Sequence, residues 1–143
     1  MLNDITTDLD NPPVFFQQPP EKPTYNAARN RPLQEASYPD LKNLAAGWPP
    51  DEAFARVLAV VRRREWTIAG LDERVRRVQA VSVTPLLRFR DDVVIEVRTP
   101  PPGGDPGVHS IVAMRSKSRV GRSDLGANAK RIRAFLRDLR AAP

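Results

Sequence analysis

The chain turns from its last predicted strand into its last predicted helix within the stretch Arg115-Ser116-Lys117-Ser118-Arg119-Val120-Gly121-Arg122-Ser123-Asp124-Leu125-Gly126-Ala127-Asn128. Side chains alternate along a strand, so we expect Arg115, Lys117 and Arg119 on one face of the sheet and Ser116 and Ser118 on the other. This connection contains more polar and charged residues than a turn between a strand and a helix needs. The excess predicts either a structural contact that fixes the helix to the strand or a binding site.

The helix after this stretch is predicted over about residues 124–140, with Ser123 as its N-cap. Its apolar residues recur at helical spacing and form one stripe: Leu125, Ala129, Ile132, Leu136 and Leu139. Cations cover the opposite side. Such a pattern is typical of a helix that packs one face on a core.

Upstream, the same reasoning predicts one helix and four strands. Phe54, Val57, Leu58 and Val61 predict a helix over about residues 50–64. Strands are expected over residues 66–71, 75–89 with a break at Pro85, 93–98 and 108–117, and a turn at Arg90-Asp91-Asp92. The predicted fold class is α+β: a four-stranded, mainly antiparallel sheet packed against two helices.

Composition divides the chain of 143 residues into two parts. Nine of the 15 prolines lie in the first 50 residues, and residues 1–48 carry two more acids than cations. Proline fixes φ and removes an amide donor, so we expect residues 1–48 to form an extended arm. The arm is also rich in apolar side chains, including Val14, Phe15, Tyr25 and Leu33, so we expect it to pack on a single domain over residues 49–143.

Several chemistries are excluded or disfavoured by composition. The chain has no cysteine, which removes disulfides and thiolate chemistry. No apolar run approaches the length of a membrane span, and the first residues lack the pattern of a signal sequence. We therefore expect neither a transmembrane nor a signal segment in this chain.

Ordered blocks along nearly the whole chain resemble the domain of unknown function 1499 (DUF1499) family. The blocks are Asp4-Ile5-Thr6-Thr7-Asp8, Pro12-Pro13-Val14-Phe15, Tyr38-Pro39, Trp66, Thr84-Pro85-Leu86-Leu87-Arg88-Phe89, Asp91-Asp92-Val93-Val94-Ile95, Arg115 to Gly121, Ser123 to Gly126, Asn128, Arg131 and Ile132. The resemblance implies an extracytoplasmic setting, such as the periplasm, and membrane association. It implies no established activity. The chain departs from the family at Glu96, where a basic residue is common, and at Ala113, where an acid is common.

Two interpretations of the strand–helix junction remain open. In one, its polar residues form a buried structural clamp, in which Asp124 caps its own helix and pairs with Arg115 or Arg119. In the other, they bind an anion or a partner with the help of the unpaired amides of the helix N-terminus. The residues concerned are the same in both: Arg115, Ser116, Ser118, Arg119, Ser123, Asp124 and Asn128.

Catalysis has little support in the sequence. Asp91 and Asp92 are adjacent carboxylates in a predicted turn, where they are expected to face water. His109 is the only histidine and has no partner for a triad or a metal site. No nucleophile elbow or phosphate-binding glycine loop is present. We expect no catalytic, metal or cofactor-binding residues.

These observations predict a non-enzymatic accessory or interaction module. We expect a protein partner, with a membrane complex and an anionic lipid surface as further candidates, because residues 49–143 carry a net charge of +8. The alternatives are a small enzyme acting on an anionic substrate at the junction, and a basic domain that binds nucleic acid. The nucleic-acid alternative is disfavoured because the cations are scattered among acids.

Overall fold

The computed structural model of the protein describes residues 2–17, 24–119 and 124–141. These residues form nine elements in chain order: β1 (Asp4–Thr6), α1 (Ala27–Ser37), β2 (Leu44–Ala46), α2 (Pro50–Arg63), β3 (Thr67–Asp72), β4 (Arg77–Val83), β5 (Arg90–Arg98), β6 (Ser110–Ser118) and α3 (Ala127–Ala141).

The strands form one antiparallel sheet in the order β1-β6-β5-β4-β3, with β2 also paired to β6. Two short strands share one edge of β6: β2 pairs with its first residues and β1 with its last. The α+β class is confirmed. The predicted count of four strands and two helices is too low, because β1, β2 and α1 all lie within the segment expected to be extended.

One face of the sheet is covered by α2 and α3. Buried residues from both helices and from alternate positions of the strands form a single apolar core, for example Val57 and Leu139 against Val93 and Met114. The aromatic rings of Trp66 and Phe135 stack at its edge, 5.6 Å apart. Four of the five residues predicted as the apolar stripe of the last helix lie in this core. The prediction was wrong for Leu125, which precedes α3 and is 92% exposed.

Two predictions about the strands were wrong. The strand predicted over residues 75–89, with a break at Pro85, ends at Val83 and does not resume after the break, because residues 85–87 form a turn. The turn expected at Arg90-Asp91-Asp92 is instead the start of β5. Both aspartates are 1% exposed, because arginines from α3 and from the residue after β6 pair with them.

The helix α1 is absent from the sequence prediction because Pro32 lies inside it. A buried glutamine holds this helix against the sheet. The amide nitrogen of Gln34 donates to the carbonyl of Thr6 at 2.6 Å, and its amide oxygen accepts from the Thr6 N–H at 3.1 Å. The side chain thus bonds to the outer edge of β1 as a neighbouring strand would.

Residues 8–17, here called the strap, lie across the sheet face opposite to α2 and α3. Gln79 of β4 accepts from the backbone N–H groups of Phe16 and Gln17 at 3.0 Å. Phe15 is buried as predicted, whereas Val14 of the strap and Leu33 of α1 are 60% and 41% exposed. The strap therefore closes the second face with only some of its apolar residues.

Gly70 of β3 permits this close approach of the strap. A Cβ atom at position 70 would lie 2.6 Å from the Cβ of Gln17 and 3.1 Å from the ring of Phe16. We expect Gly70→Ala to lower the free energy of unfolding by about 1–3 kcal/mol, because the strap must shift to remove the overlap. Urea denaturation measures this change.

Gly104→Ala is the matched control, since the nearest atom to its new methyl group would be 3.5 Å away. Equal stability losses from the two alanine variants would contradict the role assigned to Gly70.

Candidate functional site

A buried polar cluster, here called the clamp, joins β6 to α3. The side-chain amide of Asn128 donates to the Ser118 hydroxyl and to the Asp124 carboxylate, both at 2.9 Å. Its amide oxygen accepts from the Ser116 hydroxyl at 2.6 Å. All four side chains are buried, and they form hydrogen bonds with one another instead of with water.

A buried ion pair extends the clamp to β5. Arg131 of α3 lies 2.8 Å from the carboxylate of Asp91 and also donates to the Ser116 hydroxyl at 3.1 Å. The second carboxylate oxygen of Asp91 has no hydrogen-bond partner among the residues that the structure describes. Asp91 therefore depends strongly on Arg131 for compensation of its charge. Neither residue was assigned to the junction from sequence.

Asp124 caps α3, as one interpretation of the sequence predicted. Its carboxylate accepts from the backbone N–H of Gly126 at 2.8 Å and of Asn128 at 3.2 Å. The helix begins at Ala127, so residues 124–126 form the capping turn and not the first helical turn. These amides, which a bound anion would need, are already paired. The predicted N-cap, Ser123, lies outside the described residues.

Arg115 lies on the opposite face of the sheet and does not join the clamp. Its guanidinium forms a bidentate pair with Asp4 of β1, at 2.9 and 2.8 Å. It also donates to the Pro13 carbonyl of the strap at 3.0 Å and stacks 4.6 Å from the Phe15 ring. The predicted pairing of Arg115 with Asp124 was therefore wrong. Strand alternation places Arg115 on the sheet face that the strap covers, whereas Asp124 caps α3 on the other face.

The ring of Tyr25 packs beside the same guanidinium, whose central carbon lies 5.7 Å from the ring centre. Burial, together with the Asp4 carboxylate, raises the pKa of Tyr25 to about 12. The phenol is therefore neutral at physiological pH, and it contributes a ring surface at this position and no charge.

Arg119 pairs with Asp92 and not with Asp124. The guanidinium donates to both carboxylate oxygens, at 2.9 and 3.0 Å. These hydrogen bonds raise the pKa of Arg119 above its ordinary value. Two of the seven residues predicted at the junction, Arg115 and Arg119, thus hold other carboxylates, and four meet in the clamp.

Glu96, one of the two positions expected to depart from the family pattern, pairs with an arginine of its own strand. Glu96 faces Ala113 across β5 and β6, so the two positions are cross-strand neighbours. Glu96 bonds instead to Arg98 at 2.8 Å, and Arg98 also binds Asp8 of the strap at 2.8 Å. Partial burial acts to raise the pKa of Asp8, but hydrogen bonds from Asn43 and the strap backbone, together with the Arg98 charge, hold it below its usual value.

An apolar surface, here called the leucine surface, lies beside the clamp. It consists of Leu86 and Leu87 from the β4–β5 loop and Leu125 from the capping turn of α3, which are 93%, 71% and 92% exposed. The two loops line one shallow groove of about 520 Å³, together with Thr84, Pro85, Phe89, Asp124 and Ala127. Sequence reasoning missed this surface, because it placed Leu86 and Leu87 in a strand and Leu125 in the apolar stripe of the last helix. Pro85, next to the two leucines, was the available signal for a loop.

Leu125 has a left-handed backbone, with φ at 52°. This conformation costs roughly 1–2 kcal/mol for an L-residue other than glycine, asparagine or aspartate. The Leu125 side chain is 92% exposed, so it contributes little apolar burial to the core in return for this backbone conformation.

Fold and site together define a class of protein: a small α+β domain with buried arginine–aspartate pairs on both sheet faces and an exposed apolar surface at its last strand–helix junction. The chain belongs to the DUF1499 family, described as a protein of unknown function, whose family model matches residues 4–139. No curated protein matches the chain.

The residues that the structure describes contain neither a candidate membrane span nor a candidate metal site. None of the helices in these residues is long and apolar enough to cross a membrane. Within the same part of the chain, no group of three or more His, Asp or Glu side chains is arranged to hold a metal ion.

Proposed function

We propose that the protein is a non-enzymatic accessory module that attaches to a membrane surface through the leucine surface at its last strand–helix junction. The observation that carries the proposal is the exposure of Leu86, Leu87 and Leu125 side by side on two neighbouring loops. A contiguous exposed apolar patch on a small domain marks a contact surface for another apolar phase. The extracytoplasmic setting is carried over from the family resemblance.

The polar geometry supports a binding role over a catalytic one. Ser116, Ser118, Asp124 and Asn128 are buried and bonded to one another, so they present no reactive group to a substrate. Their contacts instead hold the capping turn that carries Leu125 against the end of β6. The clamp thereby provides a rigid base for the leucine surface.

The energetic scale agrees with reversible attachment. Moving one exposed leucine side chain from water into hydrocarbon contributes roughly 1.5–3 kcal/mol. Three such side chains support peripheral binding, in which the domain lies on the bilayer without spanning it.

Replacing Leu86 and Leu87 by serine is expected to weaken binding of the purified protein to phospholipid vesicles at least ~10-fold, because the apolar area available for insertion falls. Sedimentation with vesicles of phosphatidylcholine and phosphatidylglycerol measures this. The control is Leu71→Ser with Val75→Ser. It removes two exposed apolar side chains from the end of β3 and from the β3–β4 turn, which leads into the opposite end of β4 from the leucine surface. The control should bind like the unchanged protein.

Leu125→Gly separates binding from stability. Glycine adopts the left-handed backbone at position 125 without the strain of leucine, so the folded state should be no less stable than before. Vesicle binding should nevertheless fall. Binding only to native membranes that retain their proteins, and to no protein-free vesicle, would contradict the proposal in favour of a protein partner.

A further inference from the structure

The two segments that build the leucine surface carry the excess positive charge of the chain. Residues 83–90 and 119–133 together carry seven lysines and arginines and one acid, whereas the rest of the chain carries sixteen cations and sixteen acids. The net charge of +6 therefore arises from the two segments that build this junction. Their one acid, Asp124, is buried as the helix cap.

Ion pairs account for three of these seven cations. Arg119 pairs with Asp92, Arg131 with Asp91 and Arg133 with Asp40. Arg122 lies outside the described residues. The remaining three are Arg88, Arg90 and Lys130, all exposed.

No carboxylate of the described residues lies within ion-pair distance of Arg88, Arg90 or Lys130. Arg88 follows Leu87 directly in the β4–β5 loop, and Arg90 begins β5. Lys130 lies in the first turn of α3, where its N–H bonds to the carbonyl of Gly126 in the capping turn. Arg88 thus lies in the loop that carries Leu86 and Leu87, and Arg90 and Lys130 lie at the start of the elements that follow the two loops.

We propose that the membrane surface bound by this protein is anionic, and that Arg88, Arg90 and Lys130 recognise its headgroup charge while the three leucines enter the acyl region. This inference rests on the proposed function. Each cation close to an anionic leaflet contributes about 1 kcal/mol, or roughly a fivefold gain in affinity. Because the cations are exposed, salt weakens this attraction over distances of about 10 Å at moderate ionic strength.

A protein partner with an acidic rim around an apolar ridge would satisfy the same charges. Two observations favour the bilayer. The leucines are almost fully exposed on loop tips, which suits insertion into a soft phase, and the cations come from separate elements without a shared hydrogen-bonding geometry. A fluid layer of anionic headgroups needs no fixed register of charges.

The test compares vesicles of phosphatidylcholine alone with vesicles that also contain phosphatidylglycerol, over a series of sodium chloride concentrations. We expect the intact protein to bind the mixed vesicles at least ~10-fold more tightly, with the advantage falling as salt rises. The variant Arg88→Gln/Arg90→Gln/Lys130→Gln should lose most of that advantage. It should keep the weak binding to phosphatidylcholine, which depends on the leucines.

The control variant Arg62→Gln/Arg63→Gln/Arg74→Gln removes the same charge from exposed cations on α2 and in the β3–β4 turn. It should retain the preference for anionic vesicles within about twofold, since its cations lie outside the two loops. Equal losses from both triple variants would overturn the assignment to Arg88, Arg90 and Lys130.

The outcomes also separate this inference from the proposed function. Leucine-dependent binding that is equal on neutral and anionic vesicles overturns the charge recognition alone. No binding to either vesicle overturns both. Salt-sensitive binding of a single-stranded RNA oligonucleotide that needs the three cations but not the leucines would assign the cations to nucleic acid and likewise overturn the inference.

Discussion

Asp4→Ala is expected to lower the free energy of unfolding by about 3–5 kcal/mol, because it removes the carboxylate that binds the buried guanidinium of Arg115 through two hydrogen bonds. Arg115 and Asp4 are 2% and 1% exposed at their side chains, so water cannot replace the lost contact. Lys117, 3.7 Å from the same carboxylate, loses part of its compensation as well. Urea denaturation followed by circular dichroism measures the change.

The surface pair between Arg133 and Asp40 provides the control. It has the same bidentate form, with both distances at 2.7 Å, but its side chains are 45% and 55% exposed. Asp40→Ala should cost less than about 1 kcal/mol, because solvent and salt screen an exposed pair. Similar small losses from both aspartate variants would show that the Asp4 pair is not the anchor described here.

A paired replacement tests the physical cause more sharply. Arg115→Met together with Asp4→Val removes both charges, and an apolar pair of similar volume often matches or exceeds the stability of a buried ion pair. The double variant should therefore be clearly more stable than Asp4→Ala alone. The strap should be cleaved faster by protease in the single variant, since Arg115 also holds the Pro13 carbonyl and the Phe15 ring.

Asn128→Ala has the second largest expected effect, a loss of roughly 2–4 kcal/mol. The substitution removes the donors to Ser118 and Asp124 and the acceptor for Ser116, all within a site that is closed to water. Each buried polar group without a partner costs about 1–3 kcal/mol. Arg131 donates to the Ser116 oxygen, so it cannot replace the acceptor that the Ser116 hydroxyl loses. Thermal and urea unfolding measure the loss.

Lys130→Ala is the matched control for Asn128, two residues further along the same helix but on its exposed side. Its effect on stability should stay within about 0.5 kcal/mol. If Asn128→Ala were equally mild, the clamp could not be what holds α3 to β6, and the rigid base proposed for the leucine surface would be lost with it.

The helices α2 and α3 were predictable because their apolar residues repeat at the period of a helix. Strand β5 was predictable in its second half, where Val93, Ile95 and Val97 alternate, but its start was not. Adjacent aspartates favour a turn by local propensity. In the folded protein that propensity is overridden, because Arg131 and Arg119 neutralise the two carboxylates within the sheet.

The helix α1 is a second case in which contacts between residues far apart in sequence override local propensity. Pro32 argues against a helix locally, and the bonds that hold α1 come from Gln34 to Thr6, 28 residues earlier in the chain. A contact between residues so far apart in sequence leaves no periodic trace. The candidate site was predicted in the same incomplete way: Ser116, Ser118, Asp124 and Asn128 were identified, but Asp91 and Arg131 were not.

By itself, the sequence determined the α+β class, the family, most of the buried faces of α2 and α3 and the polar character of the last strand–helix junction, because these depend on local spacing and residue type. Only the tertiary structure decided which charges pair and which apolar side chains stay exposed. Arg115 could have compensated any nearby carboxylate, and the register between β1 and β6 selects Asp4. Leu86, Leu87 and Leu125 become a single surface only because folding brings together two loops that lie about 40 residues apart in the chain.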